Sequence, residues 1–200
     1  MLILASQSPR RAELLRNAGI SFEVRPAEVD ESMYEGEDPF EYVKRLALEK
    51  ALHVLNMAPK GAVVIGADTT VVVDGESLGK PVDKAHARHM LERLSGRWHE
   101  VTTGVCVAFC DANGAVVSEV KSEVTEVEFA AMSAEEIETY VASGEPMDKA
   151  GAYAIQGRAS QWIPRIQGCY FNVVGLPVAR LRTMLLRAEG SRGLQASSKS

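Results

Sequence analysis

Residues 1–16 read MLILASQSPRRAELLR, and this stretch predicts how the fold begins. Leu2–Ala5 is a short apolar run, which is typical of a buried strand. The run ends at Ser6-Gln7-Ser8, and Pro9 has the fixed backbone angle that suits the first position of a helix. Gly19 is expected to end that helix. The stretch therefore predicts a strand, a tight turn and a helix in immediate succession.

The turn between this strand and helix carries groups that suit a phosphate. Ser6 and Ser8 supply hydroxyls, the helix N-terminus supplies backbone N–H groups, and Arg10 and Arg11 supply guanidinium groups. The alternative is an ordinary Ser-Pro helix start with two solvated arginines. Cations in a first helical turn oppose the helix dipole by roughly 0.3–1 kcal/mol each, and a bound anion would remove that penalty. The pattern therefore favours a phosphate site.

Composition limits the class of protein. The chain has 200 residues, 46% of them hydrophobic, which suits one sizeable domain or two closely joined lobes. Its net charge of −5 argues against a nucleic-acid binder. Three cysteines without metal-site spacing indicate reduced thiols, and neither a signal peptide nor a membrane span is apparent. We expect a cytoplasmic protein; a homodimer is compatible with the sequence, but no apolar interface predicts one.

The rest of the chain alternates between helical and strand patterns. Capping residues and apolar periodicity predict helices from Asp38 to about Leu55, Asp83 to Gly96, Ser133 to Gly144 and Val178 to Arg187, and strands at 62–73, 98–110, 115–129, 151–155 and 170–174. This is a mixed α/β chain. We expect one domain over residues 1–187 and a disordered tail over residues 188–200.

Asp68 is the strongest candidate for chemistry. It lies in the middle of an apolar strand, where a carboxylate costs several kcal/mol unless it is paired or binds a metal. Gly66 and Thr70 share its face of the strand and leave room for a ligand. The alternative is a structural ion pair with Lys50 or with an arginine.

Four other polar residues are weaker candidates. Lys50 interrupts an apolar helical stripe, so it either extends to solvent or points into a cleft. Glu31 is an ordinary loop residue by itself, but with Asp68 it offers the two carboxylates that Mg²⁺ accepts. Lys80 lies in a Gly-Lys-Pro turn. Gln156 precedes a glycine, where it is either a turn residue or an amide that contacts a base edge.

Several catalytic motifs are missing from the sequence. It contains no GxxxxGK[ST] loop, no GxGxxG and no HExxH, and Ser6 and Ser8 do not lie in a GxSxG turn. Nucleophilic catalysis by a serine–histidine pair is therefore unsupported. The candidates that remain favour metal-assisted attack of water on a phosphoanhydride.

Six segments in this order resemble the Maf family of nucleotide pyrophosphatases. They are LASQSPRR at 4–11, GADT at 66–69, LGKP at 78–81, SG at 95–96, DKAGAYAIQG at 148–157 and VGLP at 174–177. The resemblance extends in register from Leu2 to about Arg187. It implies an elongated mixed sheet flanked by helices, with two lobes around a nucleotide cleft, similar to inosine triphosphatases.

The resemblance also implies a reaction and residue roles. The family hydrolyses nucleoside triphosphates to the monophosphate and pyrophosphate with a divalent cation, Mg²⁺ or Mn²⁺. By this resemblance Asp68 would be the general base and, with Glu31, a metal ligand. Lys50 and Lys80 would lie around the triphosphate. Gln7 departs from the glycine that is frequent at its position, but its side chain can point away from a ligand.

Three positions separate the branches of the family by substrate. Arg10, Thr69 and Gln156 match the branch that hydrolyses dTTP and UTP, whereas the branch that prefers 7-methyl-GTP differs at all three. We therefore expect a dTTP/UTP pyrophosphatase that removes unwanted nucleotides from the pool, modified pyrimidine nucleotides included. The resemblance also implies a link to cell-division arrest. The alternatives are a nucleotide-sensing regulator of septum formation with incidental hydrolysis, and a pyrophosphatase for ITP or XTP.

Overall fold

The computed structural model describes the backbone of residues 1–197 and the side chains of residues 1–192. The strands are β1 (Leu2–Ala5), β2 (Glu23–Val24), β3 (Val63–Val73), β4 (Glu76–Leu78), β5 (Trp98–Cys110), β6 (Val116–Glu128) and β7 (Arg165–Gln167). The helices are α1 (Pro9–Asn17), α2 (Pro39–Leu55), α3 (Lys84–Leu94), α4 (Ala134–Ala142), α5 (Tyr170–Val174) and α6 (Val178–Ser197). Short 3-10 turns occupy Glu145–Asp148, Ala150–Ala152 and Arg158–Trp162.

The strands form one mixed sheet. Its order is β2-β1-β3-β5-β6-β7, and β4 pairs with β3. β1 is parallel to β2 and β3, with Ala5 opposite Gly66, whereas β4 and β7 are antiparallel to β3 and β6. The sheet and its flanking helices confirm the predicted α/β class.

The chain divides into two compact units. The first comprises Met1–Asp68, Thr103–Glu123 and the residues from Gly175 onward; the second comprises Thr69–Thr102 and Val124–Val174. Three strands, β3, β5 and β6, contribute residues to both. Among the described residues, no helix combines the length and the apolar character that crossing a bilayer requires.

The core of the first unit forms where α2 lies on the sheet. Small and aliphatic residues dominate it: Ile3, Ala5, Ala47, Ala51, Val54, Leu55, Ala62, Val64, Cys106 and Ala108. Two strand glycines allow the helix to come close. A Cβ at Gly66 would lie 2.0 Å from the carbonyl oxygen of Ala47, and a Cβ at Gly104 would lie 2.1 Å from that of Val43. The backbone of α2 therefore fits only against glycine at these two points.

The second unit has a more aromatic core, which includes Phe129, Tyr140, Tyr153 and Trp162. Its helices begin with defined caps: Asp83 accepts a hydrogen bond from His86 N, and Ser133 forms a complete capping box with Glu136. The predicted apolar face of α3 is buried, comprising Ala87, Met90, Leu91 and Leu94. Three rings, those of His99, Phe129 and Tyr153, pack edge to face in this core.

Two predicted short strands are wrong. Residues 151–155 begin in a 3-10 turn, because Gly151 and Ala152 have φ of +67° and +59°, which no strand accommodates. Residues 170–174 form α5, in which Asn172 is buried and donates to the carbonyl of Val101 and the hydroxyl of Thr125. A short apolar run does not by itself distinguish a buried strand from a helical turn.

The last helix runs beyond its predicted end. The sequence predicts that it ends at Arg187 and that residues 188–200 are a disordered tail, but α6 continues to Ser197. Ala188 is buried, and Arg192 donates to the carbonyl of Gly61 at 2.7 Å and lies over the ring of Phe109. These contacts give the polar extension partners in the first unit. Residues 198–200 lie outside the described part of the chain.

We predict that Gly66→Ala lowers the free energy of unfolding by roughly 3 kcal/mol, the upper part of the range for overpacking, because the obstructing atom is a backbone oxygen. Gly79→Ala is the matched control: its Cβ would meet nothing within 4 Å, so we expect a change of about 0.5 kcal/mol or less. Urea unfolding monitored by circular dichroism measures both. Equal stability of the two variants would contradict the close approach of α2.

A second prediction concerns pH and His99. Burial lowers the pKa of His99 to about 3, and its Nε2 shares a hydrogen bond of 2.8 Å with Tyr153 Oη. Between that pKa and an unfolded value of about 6.5, the unfolded chain binds more protons, so stability falls as the pH falls. His99→Gln cannot take up this proton. Between pH 7 and pH 5, the free energy of unfolding should therefore fall by about 2 kcal/mol less in the variant than in the wild type. If urea unfolding shows the same pH dependence of the free energy of unfolding for both proteins, the lowered pKa of His99 is contradicted.

Candidate active site

An ion cluster in the first unit joins α2, β3 and the loop before α2; its Lys50 and Asp68 are buried, whereas its Glu31 is exposed. Nζ of Lys50 donates to Asp68 Oδ1 at 2.6 Å and lies 2.5 Å from Glu31 Oε1. Lys50 and Asp68 are only 7% and 9% exposed. Because buried charges are stable only when paired, each of these two residues depends on the other. The lysine that interrupts the apolar stripe of α2 thus points inward.

Two side chains of α2 hold the loop that carries Glu31. Tyr42 Oη donates to the carbonyl of Glu31 at 2.8 Å, and Arg45 Nη2 donates to the carbonyl of Ser32 at 3.0 Å. Arg45 also forms a bidentate pair with Glu37 and lies 3.9 Å from the ring centroid of Tyr34. One helix therefore positions both Lys50 and the acidic loop.

The turn between β1 and α1 is held by Arg11. Its guanidinium donates to Ser6 Oγ at 3.2 Å, to the carbonyl of Ala67 at 2.9 Å and to the carbonyl of Gly175 at 2.8 Å. Ser6 Oγ also accepts from the backbone N–H of Ser8. Arg11 is buried and serves the turn itself, attaching it to the strand residue just before Asp68.

The N-terminus of α1 has no side-chain cap. Ser8 occupies the cap position but makes no capping hydrogen bond, and the first turn contains no acidic residue. Uncapped N–H groups of a first turn bind anions readily. Arg10, in the same turn, is half-buried. Ser8, Arg10 and the uncapped first turn stay candidates for phosphate binding, whereas the Arg11 guanidinium donates to oxygen atoms of the protein.

Electrostatics in the cluster follow from burial and from the two carboxylates. Burial lowers the pKa of Arg11, and the negative charges of Asp68 and Glu31 act in the opposite direction. Burial, reinforced by the same two carboxylates, raises the pKa of Tyr42 to about 12. Tyr42 is therefore a neutral donor at physiological pH.

The carboxylates of Glu31 and Asp68 also fit a divalent cation. They already share one positive group, and oxygen is the ligand atom that Mg²⁺ and Mn²⁺ favour. Within residues 1–192 no group of three or more His, Cys, Asp or Glu side chains is placed so that it could hold a metal ion together. Mg²⁺ typically takes one or two protein carboxylates and completes its shell with water and phosphate oxygens, so two are sufficient.

The other predicted site residues belong to the second unit. Thr69 follows Asp68 in β3 and is half-buried, whereas Lys80 and Gln156 are exposed. Lys80 follows Gly79, whose carbonyl accepts from Gly151 N at 3.1 Å. That bond joins the LGKP segment to the DKAGAYAIQG segment, which carries Gln156.

Comparison with known proteins identifies the family. A family model described as "Maf-like protein" matches residues 1–188. The chain belongs to the Maf family. This confirms the resemblance and its extent along the sequence.

Curated relatives of this Maf-family chain share about half of its residues. A protein of Koribacter versatilis is 54% identical over 187 residues, 94% of each chain. One of Symbiobacterium thermophilum is 56% identical over 184 residues, 92% of each chain. Both are named dTTP/UTP pyrophosphatase. Among solved structures, the Ham1 protein of Staphylococcus aureus matches with a TM-score of 0.47 and 17% identity over 64% of this chain and 71% of that one.

Sequence reasoning missed Tyr42 and Arg45, the two residues that hold the loop of Glu31 in the candidate site. Tyr42 and Arg45 lie at the spacing of successive helical turns from Glu49, beside the apolar stripe of α2. A polar stripe next to the core face was the available signal, and it is hard to distinguish from a solvated helix surface.

We predict strong energetic coupling between Lys50 and Asp68. Lys50→Met leaves a buried carboxylate without its cation and should lower the free energy of unfolding by about 3–5 kcal/mol. Adding Asp68→Asn removes that unpaired charge. The loss of unfolding free energy in the double variant should therefore be smaller, by roughly 1–3 kcal/mol, than the sum of the losses in the two single variants.

Lys44→Met is the control for this cycle. Lys44 is on the same helix but forms an exposed ion pair with Glu41, so its loss should cost less than about 1 kcal/mol. Urea unfolding at pH 7 measures all four variants. Strict additivity of the Lys50 and Asp68 changes would show that the buried pair is not an energetic unit.

Proposed function

We propose that this chain hydrolyses dTTP and UTP to the monophosphate and pyrophosphate. The observation that carries the proposal is the buried Lys50 with its two carboxylates, next to an uncapped helix N-terminus. The names of relatives that share about half of the sequence over nearly its whole length support the substrate. A hydrolase acting on acid anhydrides is the activity that both lines of support favour.

Triphosphate binding is assigned to the start of α1 and to the lysines. The first-turn N–H groups, the hydroxyls of Ser6 and Ser8, and Arg10 would bind phosphate oxygens. Arg11 would act indirectly by fixing Ser6. From the second unit, Lys80 is exposed on a turn and supplies another positive charge.

Asp68 is assigned as the proton acceptor. Lys50 binds Oδ1, so we assign proton transfer to Oδ2. The oxygen of a water molecule bonds to the α-phosphorus and its proton passes to Asp68. The bond from the α-phosphorus to the bridging oxygen breaks, and pyrophosphate leaves with that electron pair. Lys50 keeps the carboxylate oriented while the reaction proceeds.

Glu31 and Asp68 are assigned to a divalent cation, Mg²⁺ or Mn²⁺. Such an ion neutralises phosphate oxygens and stabilises the negative charge that develops on them. Tyr42 and Arg45 keep Glu31 near Asp68 through the backbone of its loop.

Base selection is assigned to three residues. Arg10, Thr69 and Gln156 match the dTTP/UTP branch of the family, and Gln156 offers an amide that both donates to and accepts from a pyrimidine edge. The physiological role that follows is removal of unwanted pyrimidine triphosphates, modified ones included, from the nucleotide pool. We expect the protein to act in the cytoplasm without nucleic-acid or membrane partners, and a homodimer remains compatible with it.

The substrate prediction is tested with a panel of triphosphates. Pyrophosphate release is measured with Mg²⁺ or Mn²⁺ for dTTP, UTP, CTP, ITP and 7-methyl-GTP. We expect rapid turnover of dTTP and UTP and little of the others. Preference for another base would refute the base assignment but retain the reaction, whereas tight binding without turnover of any nucleotide would favour the nucleotide-sensing regulator.

Asp68→Asn is the variant that tests the base. We expect kcat to fall by roughly 10²–10⁴-fold, because general-base catalysis contributes about that factor. The fold should persist, since Lys50 retains Glu31 as a partner. Asp83→Asn is the matched control, because asparagine also caps helices well and α3 should begin unchanged. Near-normal turnover by Asp68→Asn would overturn the assignment.

A further inference from the structure

We propose that Tyr140 and Glu145, called here the Tyr140–Glu145 clamp, position the segment Ala154–Arg158 and thereby determine base selectivity. This inference rests on the proposed function, in which Gln156 of that segment contacts the base. Neither clamp residue is assigned a contact with substrate. They are positioning residues, and their effect reaches the nucleotide through Gln156.

The clamp holds the segment at both ends. Tyr140 Oη donates to Glu145 Oε1 at 2.9 Å and accepts from the N–H of Ala154 at 3.3 Å. The carboxylate of Glu145 accepts from the N–H of Arg158, at 3.0 Å to Oε1 and 3.2 Å to Oε2. One connected pair of side chains therefore binds the backbone two residues before Gln156 and two residues after it.

Gly157 shows how closely the clamp and the segment fit. A Cβ at this position would lie 2.2 Å from Glu145 Oε1. The N–H of Gly157 donates to the carbonyl of Ala154 at 3.0 Å, so the segment also closes on itself around Gln156. Any side chain at residue 157 would have to displace the carboxylate from Arg158. The glycine after Gln156 is thus explained by the clamp.

The clamp is anchored in the core of the second unit. Tyr140 is 1% exposed, and its ring packs edge to face on Trp162 at 5.5 Å. Glu145 begins the 3-10 turn after α4, and its backbone carbonyl accepts from Lys149 Nζ at 2.7 Å. Burial and the neighbouring carboxylate raise the pKa of Tyr140, so the phenol stays protonated and donates. An exposed glutamine is thereby carried by a segment whose ends are fixed.

A positioned amide discriminates between bases better than a mobile one. A site built to hydrogen-bond a substrate rejects analogues that lack the matching groups, but only if its own polar groups are held in place. Loss of the clamp should therefore lower selectivity between bases. Binding of the triphosphate, which is assigned largely to the first unit, should be affected less.

The first test uses Tyr140→Phe and Glu145→Gln in the full-length protein. We measure kcat/KM for dTTP and for ITP, and expect their ratio to fall roughly three- to tenfold in each variant, the effect of weakening about one hydrogen bond. Tyr170→Phe is the matched control, because Tyr170 is a partly exposed tyrosine of the same unit, and its ratio should not change. Unchanged ratios in both clamp variants would overturn the proposal.

The second test separates selectivity from folding. Gly157→Ala keeps both clamp residues but should displace the Glu145 carboxylate, and it should lower the same ratio. In a Gln156→Ala background the clamp substitutions should produce no further change in the ratio. Amide hydrogen exchange of residues 153–158 should accelerate in every clamp variant. If the clamp substitutions lower the kcat/KM ratio as much in the Gln156→Ala background as in the wild type, the clamp does not act through Gln156 and the proposal is overturned.

The outcomes distinguish the two proposals. If Gln156→Ala leaves the ratio unchanged, the base assignment within the proposed function is wrong, and the clamp has no selectivity to control. If Gln156→Ala lowers the ratio but the clamp variants do not, the proposed function stands and the clamp is overturned. Should Tyr140→Phe fail to fold, Glu145→Gln and Gly157→Ala decide the question alone.

Discussion

The ammonium group of Lys50, buried between the carboxylates of Asp68 and Glu31, is the constraint on which the rest of the first unit depends. The lysine can be buried there because the two carboxylates neutralise it, and Asp68 can lie in the interior of a strand because of that lysine. The pair meets because Gly66 lets the backbone of α2 approach β3 to a distance that no side chain would allow. The close packing at Gly66 is thus also what brings Lys50 and Asp68 together.

Around the Lys50 cluster and in the second unit, side chains hold functional segments by binding backbone groups. Arg11 joins the β1–α1 turn to the backbone next to Asp68, and Tyr42 and Arg45 hold the loop of Glu31 by its carbonyls. In the second unit, Tyr140 and Glu145 hold backbone N–H groups on either side of Gln156. In each case a side chain fixes a backbone, and the backbone presents the residue assigned to substrate.

Much of this arrangement was predictable from residue patterns. Caps and periodicity gave the long helices and strands, and an isolated charge in an apolar strand singled out Asp68. Short elements were not predictable: whether residues 170–174 form a strand or a helical turn depends on the burial of Asn172, a tertiary effect. The engagement of Arg11 with carbonyls and the support given by Tyr42 and Glu145 were hidden for the same reason. These contacts join residues distant in sequence to backbone groups, which every residue possesses.

In the proposed mechanism, water activated by Asp68 attacks the α-phosphorus. Hydrolysis of dTTP in water enriched in ¹⁸O, followed by mass spectrometry of both products, tests it most directly. We predict that the label appears in the monophosphate and is absent from pyrophosphate, because the new bond forms at the α-phosphorus. Label in pyrophosphate would mean attack at the β-phosphorus and would contradict the assigned chemistry.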